Sequence, residues 1–199
     1  MDSASRRVIE HAPLVLVDFD GTLATLQTDW AGLKMTLSER CRSQKWPWNP
    51  AQGLDANLRS IRTLHGEAAF NRLCKDVAMA EISGFDAEAV SHDLIQVLRD
   101  RGTDPTAIVT NNTRVGVNTI LQHEVFDGIR PRVIGKEDVS ESKPSPRGLT
   151  RACRLFVASS KATVFIGDAD SDERASRLAG IGIFIRATPP VSGRLRLAA

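Results

Sequence analysis

Cysteine is scarce in this sequence, and the few cysteines are far apart. Cys41, Cys74 and Cys153 are odd in number and include no Cys-x-x-Cys pair, which argues against a zinc knuckle or a dithiol redox motif. We interpret them as free thiols of a reducing cytosol. A chain of 199 residues buries enough apolar surface to fold without disulfides or a structural metal.

Long apolar runs and a large excess of one charge are also absent. No run of about 18 apolar residues occurs, so no membrane-spanning helix is expected. The segment Met1 to Pro13 is polar and of mixed charge, unlike a secretory signal. The 26 Lys and Arg residues against 24 Asp and Glu give a net charge of +2, which provides no support for a nucleic-acid or membrane partner. We therefore expect a cytoplasmic protein of one domain, with room for a modest insertion.

Short apolar runs are what the sequence does contain, and they alternate with amphipathic segments. The runs predict four strands, at Leu14–Val17, Ala107–Val109, Thr163–Ile166 and Ile181–Ile185. Helical spacing between them predicts helices at 87–101, 114–123, 147–158 and 172–179. Such alternation is typical of βαβ units. The predicted fold class is therefore α/β, with a doubly wound, mainly parallel sheet, and a loosely held tail from Pro189 onward.

One long segment interrupts this alternation. Residues 24–83 contain no convincing strand run, but they include two helix candidates, at 30–41 and 67–82, with Asp29 as N-cap of the first. We predict that this segment is a small α-helical cap inserted after the first strand, and that residues 1–23 and 84–199 form the core. Trp46 and Trp48 could cover a substrate as a lid, but aromatic residues in a small insertion more often form its own core.

Two aspartates directly follow the first predicted strand, in the segment Asp18-Phe19-Asp20-Gly21-Thr22. Residues two apart beyond a strand can direct both carboxylates into the crevice at the carboxyl edge of a parallel sheet, where ligands bind. Gly21 permits a tight turn there. Neighbouring carboxylates repel each other and favour a cation beside them, and an oxygen-lined site suits Mg²⁺.

Polar residues also follow later strands, and they suit the handling of a phosphoryl group. Thr110 and Asn111 offer a hydroxyl and an amide that can hold phosphate oxygens, and Lys143, beside a proline, supplies a point charge that neutralises phosphate and an acidic nucleophile. Asp168 and Asp172 add carboxylates for the cation. A carboxylate attacks a phosphate dianion only if charge is neutralised, so these groups together indicate phosphoryl transfer to an aspartate.

The order and spacing of these segments resemble the haloacid dehalogenase superfamily, in particular its phosphatase branch and the phosphoglycolate phosphatase-like members with a small helical cap. The resemblance implies that Asp18 is the nucleophile and Asp20 the general acid and base. It implies further that Thr110 and Lys143 bind the phosphoryl group. Mg²⁺ would be held by Asp18, Asp168 and the backbone carbonyl of Asp20, with Asp172 coordinating it directly or supporting it through water.

Three functions are compatible with these residues. The expected one is Mg²⁺-dependent hydrolysis of a small phosphorylated metabolite through an aspartyl-phosphate. A phosphomutase acting on a sugar phosphate would use the same groups, and a non-catalytic regulatory protein could keep the fold. The segment Ala24 to Trp30 departs from the Asp-Ser that many phosphoglycolate phosphatases have there, which leaves the substrate open.

Overall fold

The central sheet has five strands, all parallel, in a computed structural model that describes residues 2–191. Most of the tail predicted from Pro189 onward lies outside that range. The strands are ordered β3-β2-β1-β4-β5, and their bounds are Leu14–Val17 (β1), Thr106–Val109 (β2), Arg132–Ile134 (β3), Thr163–Gly167 (β4) and Ile183–Arg186 (β5). The parallel α/β class is confirmed.

The prediction of four strands was wrong because it omitted β3. This strand has only three residues, follows Pro131 and begins with the exposed Arg132. A run so short carries no periodicity that separates it from a loop. It pairs with β2 at the edge of the sheet, with Val133 opposite Ile108.

Helices cover both faces of the sheet, as a doubly wound fold requires. Side chains of β1 alternate between the two cores: Val15 and Val17 face one, and Leu14 and Leu16 face the other. On the first face lie α1 (Ser3–His11), α4 (His92–Asp100) and α5 (Arg114–Ile120); on the second lie α6 (Arg147–Leu155) and α7 (Asp170–Ala179).

Two further helices, which we call the cap helices, separate β1 from α4. They are α2 (Trp30–Ser43) and α3 (Leu54–Ser83), and they share an apolar core of their own. Asp29 caps α2 as predicted, accepting a hydrogen bond from the Gly32 N–H at 2.9 Å. The half of α3 before Gly66, where the backbone leaves helical geometry (φ 79°), was not predicted. The division of the chain at residues 24 and 83 stays a prediction.

The two chain segments that join the cap helices to the sheet run side by side. Thr25 donates its N–H to the Ala89 carbonyl at 2.8 Å, and Gln27 donates to the Gly84 carbonyl at 2.7 Å. Trp46 and Trp48 pack against the core of the cap helices, with Trp46 stacked on His65. This placement agrees with the interpretation of the two tryptophans as core residues of the inserted segment and not with that of a lid over a substrate.

A membrane-spanning helix was not expected, and within residues 2–191 none of the helices has the length and apolar character to be one.

Candidate active site

Asp18 begins the loop that follows β1 and is almost fully buried. Its N–H donates to the Ile166 carbonyl at 2.8 Å, which continues the pairing of β1 with β4 by one residue. The chain then turns sharply through Gly21, at φ +83°, and the Gly21 N–H donates to the Ala24 carbonyl at 2.7 Å. Asp20 is held in this turn because its Oδ1 accepts the Leu26 N–H at 2.9 Å.

Lys143 places its ammonium between two buried carboxylates. Its Nζ lies 2.7 Å from Asp18 Oδ1 and 2.5 Å from Asp172 Oδ1. Among the described residues, none of these three atoms makes a contact whose angles are those of a hydrogen bond. The two contacts are therefore ion pairs and not hydrogen bonds. Buried oxygens without directed donors are free to accept other ligands.

Asp18, Asp168 and Asp172 form a cluster in which each offers one oxygen, and these oxygens lie within 4.8 Å of one another. Thr22 donates its hydroxyl to Asp168 Oδ1 at 3.1 Å, and Asp172 Oδ2 accepts the Ala169 N–H at 3.0 Å. These hydrogen bonds hold Asp168 and Asp172 in place although the three carboxylates repel one another. A set of hard oxygen ligands with two unsatisfied buried atoms fits Mg²⁺. The carboxylate of Asp20 is not part of this cluster.

The site raises the pKa of both aspartates in the β1 loop. Burial raises the pKa of Asp18 to about 6; Lys143 opposes this shift and Asp172 adds to it. Burial also raises the pKa of Asp20. For Lys143, burial alone would lower the pKa, but the facing carboxylates of Asp18 and Asp172 outweigh it and the net shift is upward.

The loop after β2 brings Thr110 and Asn111 to the same crevice. Thr110 donates its hydroxyl to Asn112 Oδ1 at 2.8 Å and accepts the Asn112 N–H at 3.1 Å. Asn111 holds the Lys143 backbone from both sides: its Oδ1 accepts the Lys143 N–H at 2.8 Å, and its Nδ2 donates to the Lys143 carbonyl at 3.0 Å. The side chain of Asn111 therefore positions Lys143, and any phosphate contact by Asn111 would come from its backbone.

All the predicted site residues except the two aspartates after β4 line one cleft of about 360 Å³. Asp168 and Asp172 lie beside it, in contact with Thr22 and Lys143. Sites for small molecules occupy about 300–1,000 Å³, so this cleft is of the size that suits a small metabolite.

Three residues at the site were missed by sequence reasoning. Asp55 and Lys136 line the cleft and form an ion pair, with Lys136 Nζ 3.0 Å from Asp55 Oδ1. Glu81, fully buried near the end of α3, accepts hydrogen bonds from the Asn112 side chain and from the Thr113 backbone and hydroxyl. No local pattern marks them, because each depends on how the cap helices pack against the sheet.

The family model described as haloacid dehalogenase-like hydrolase matches residues 15–185. That range runs from within β1 to within β5 and holds every aspartate of the site. The chain belongs to this family.

Curated relatives of this hydrolase include a phosphoglycolate phosphatase of Pseudomonas putida, 27% identical over 189 residues, with 84% of this chain and 66% of the relative covered. Pyrophosphatase PpaX of Anoxybacillus flavithermus is 31% identical over 112 residues, with 56% of this chain and 49% of the relative covered. The chain thus spans less than two thirds of the length of either relative.

Solved structures resemble this chain along most of its length. A haloacid dehalogenase-like hydrolase of Bacteroides fragilis has a TM-score of 0.61 at 19% identity, with 94% of this chain and 93% of that one covered. A HAD family hydrolase of Deinococcus radiodurans, solved with bound phosphate and sodium, has a TM-score of 0.53 at 19% identity, with 94% and 87% covered. At such identities the likeness shows the shared fold.

Proposed function

We propose that this hydrolase is a Mg²⁺-dependent phosphatase that cleaves a small phosphomonoester through an aspartyl-phosphate on Asp18. The observation that carries the proposal is the position of Lys143, whose ammonium lies within 2.7 Å of Asp18 and of Asp172. This arrangement neutralises a buried carboxylate without covering the cleft. The family and the phosphatase names of both curated relatives support the same chemistry.

In the first step, an oxygen of Asp18 attacks phosphorus and the bond from phosphorus to the ester oxygen breaks. Asp20 donates a proton to that leaving oxygen. Burial raises the pKa of Asp20, which keeps a larger share of it protonated and so favours this role. In the second step, Asp20 takes a proton from water as the water attacks the aspartyl-phosphate, and Asp18 and inorganic phosphate are released.

Binding of the phosphoryl oxygens is assigned to Lys143 and to Thr110, whose one hydroxyl hydrogen would turn from Asn112 to the phosphate. Asn111 holds Lys143 in place. Mg²⁺, held by Asp18, Asp168, Asp172 and the backbone carbonyl of Asp20, would supply charge neutralisation for the phosphoryl group. The cleft volume of about 360 Å³ supports a small phosphorylated metabolite as substrate. We propose the cytoplasm as its location.

The test is phosphate release from an aryl phosphate by the purified protein, with Mg²⁺ and with chelator. We expect turnover only with Mg²⁺, no turnover by Asp18→Asn, and a hydroxylamine-labile phosphate on the wild-type protein. Asp170→Asn is the control, because Asp170 lies between the site aspartates in sequence but its side chain is 94% exposed. Activity that survives in Asp18→Asn would refute the mechanism.

A sugar 1-phosphate in the same assay separates hydrolysis from the phosphomutase alternative. A phosphatase releases inorganic phosphate, whereas a mutase yields an isomeric sugar phosphate and little free phosphate.

A further inference from the structure

An ion pair in the cleft wall is not used by the chemistry proposed above. Lys136 begins the short 3-10 helix Lys136–Asp138 after β3, whereas Asp55 lies in the first turn of α3, one of the cap helices. Their side chains meet across the cleft at 3.0 Å, and the same cleft contains Asp18 and Asp20. The pair therefore faces the part of a substrate that lies beyond its phosphoryl group.

The two partners differ in exposure. The side chain of Lys136 is 5% exposed and that of Asp55 is 39% exposed. Within the described part of the chain, the Lys136 ammonium donates only to Asp55 Oδ1, and Asp55 Oδ2 accepts no hydrogen bond. Since an ammonium carries three N–H donors and a carboxylate accepts at both oxygens, the pair keeps a free donor beside a free acceptor.

The charge around the pair decides which chemical group it suits. Lys136 and Asp55 together are neutral, and the buried carboxylate of Glu81 also acts on Lys136. The other charged groups that line the cleft are Asp18, Asp20 and Lys143. A carboxylate on the substrate would be attracted by Lys136 but repelled by Asp55, and such a like-charge contact disfavours binding. A hydroxyl can accept from the ammonium and donate to the carboxylate at once, leaving the pair intact.

We infer that the Asp55–Lys136 pair binds a hydroxyl group of the leaving alcohol, so that the substrates are monophosphates of small polyols or sugars rather than phosphorylated carboxylic acids. The inference rests on the proposed phosphatase function and adds the substrate class. It assigns Asp55 and Lys136 as specificity residues, and no part of the phosphoryl transfer is assigned to them.

The test compares two substrates that differ only at the far end. 2-Hydroxyethyl phosphate and 2-phosphoglycolate have the same phosphate and the same chain length, but one ends in a hydroxyl and the other in a carboxylate. We expect the wild-type kcat/KM to favour 2-hydroxyethyl phosphate by at least about tenfold. Glycerol 1-phosphate against 3-phosphoglycerate repeats the comparison with one more hydroxyl.

Two variants should change the ratio of the kcat/KM values for 2-hydroxyethyl phosphate and 2-phosphoglycolate in different ways. Asp55→Asn keeps the shape but removes the carboxylate that faces Lys136 in the cleft and leaves only the buried Glu81 opposite its charge. The ratio should therefore shift toward phosphoglycolate by about tenfold or more. Lys136→Met removes the donor and leaves the carboxylate, so kcat/KM for 2-hydroxyethyl phosphate should fall while phosphoglycolate stays poor. The matched control is Asp76→Asn, which removes the same charge from the same helix, where Asp76 pairs with Arg40 at 2.9 Å.

A pair that only ties the cap helix to the sheet would change thermal stability and overall rate but not the ratio of the two substrates. An unchanged ratio in Asp55→Asn, or a wild-type preference for phosphoglycolate, therefore overturns the inference while aryl phosphate hydrolysis still supports the phosphatase. If the wild-type protein releases phosphate neither from the aryl phosphate nor from any of the four small esters, the proposed function fails and the substrate class fails with it.

Discussion

Gly21 is the residue at which the backbone path and the aspartate cluster depend on each other. Its φ of +83° lies in the left-handed region, and an added Cβ would lie 2.6 Å from Asp168 Cγ. We predict that Gly21→Ala lowers the free energy of unfolding by about 1–2 kcal/mol and kcat/KM by at least about tenfold, because it displaces a carboxylate of the site. Urea unfolding and aryl phosphate kinetics measure the two effects.

Gly102→Ala is the matched control for this substitution. Gly102 also has a positive φ, +58°, but no atom lies within 4 Å of a Cβ built there. Gly102→Ala should therefore lower the free energy of unfolding through the backbone strain alone and leave kcat/KM unchanged. Equal losses of activity in the two variants would contradict the collision with Asp168.

Asp18 should also govern a pH dependence of stability. Burial raises its pKa from 3.8 to about 6, so without metal the native state binds its proton more tightly than the unfolded chain does. The stability contributed by this group is present below pH 3.8 and is lost as the pH rises through about 6. We predict that, in chelator, the free energy of unfolding of Asp18→Asn rises progressively above that of wild type as the pH increases from 3.8 to about 6. Urea unfolding at a series of pH values measures the difference. As the control, Asp170→Asn should show the same pH dependence as wild type.

At the scale of elements, Glu81 joins a cap helix to the loop that carries Thr110. It accepts from Asn112 Nδ2 and from the Thr113 N–H, both at 3.1 Å, and from the Thr113 hydroxyl. Burial raises the pKa of Glu81, while Lys136 and these hydrogen bonds oppose the shift. The buried carboxylate thus accepts hydrogen bonds from the side chain of Asn112 and from both donors of Thr113, which keeps the loop in one arrangement.

We predict that Glu81→Gln lowers the free energy of unfolding by about 2–4 kcal/mol, because an amide N–H₂ would then face the Thr113 donors. The KM for phosphate esters should rise as the Thr110 loop loosens. The control is Glu67→Gln on the same helix, whose side chain is 62% exposed and pairs with Arg62; it should cost less than about 1 kcal/mol. A Glu81 variant as stable as this control would show that the network contributes little.

The elements that sequence reasoning found and missed differ in how local their signal is. β1, β2 and β4 are buried on both faces, so they appear as apolar runs, and the residues that end them mark the site. β3 has three residues and an exposed first position, which leaves no such run. Asp55 and Lys136 are 81 positions apart and meet only because the first turn of α3 lies beside the segment after β3, which no local pattern encodes.

For the whole molecule, the aspartate cluster links distant parts of the chain. Asp18 ends β1, whereas Asp168 and Asp172 belong to the β4–α7 junction, and their oxygens lie within 4.8 Å despite their mutual repulsion. A cation that binds only this native arrangement stabilises the fold by mass action, by about 2.7 kcal/mol at a hundredfold excess over its Kd. We therefore predict that Mg²⁺ raises the Tm by several degrees relative to chelator, as measured by calorimetry.

The origin of this shift can be assigned with two variants. Asp168→Asn replaces a charged ligand by a neutral amide and removes part of the repulsion, so its Tm in chelator should be at or above that of wild type while the Mg²⁺ shift largely disappears. Asp170→Asn should keep the full shift, because its exposed carboxylate pairs with Arg186 at 3.1 Å, outside the cluster. A Mg²⁺ shift that persists in Asp168→Asn would place the stabilising cation elsewhere, and would leave Asp18 and Asp172 held by Lys143 and Asp168 held by Thr22.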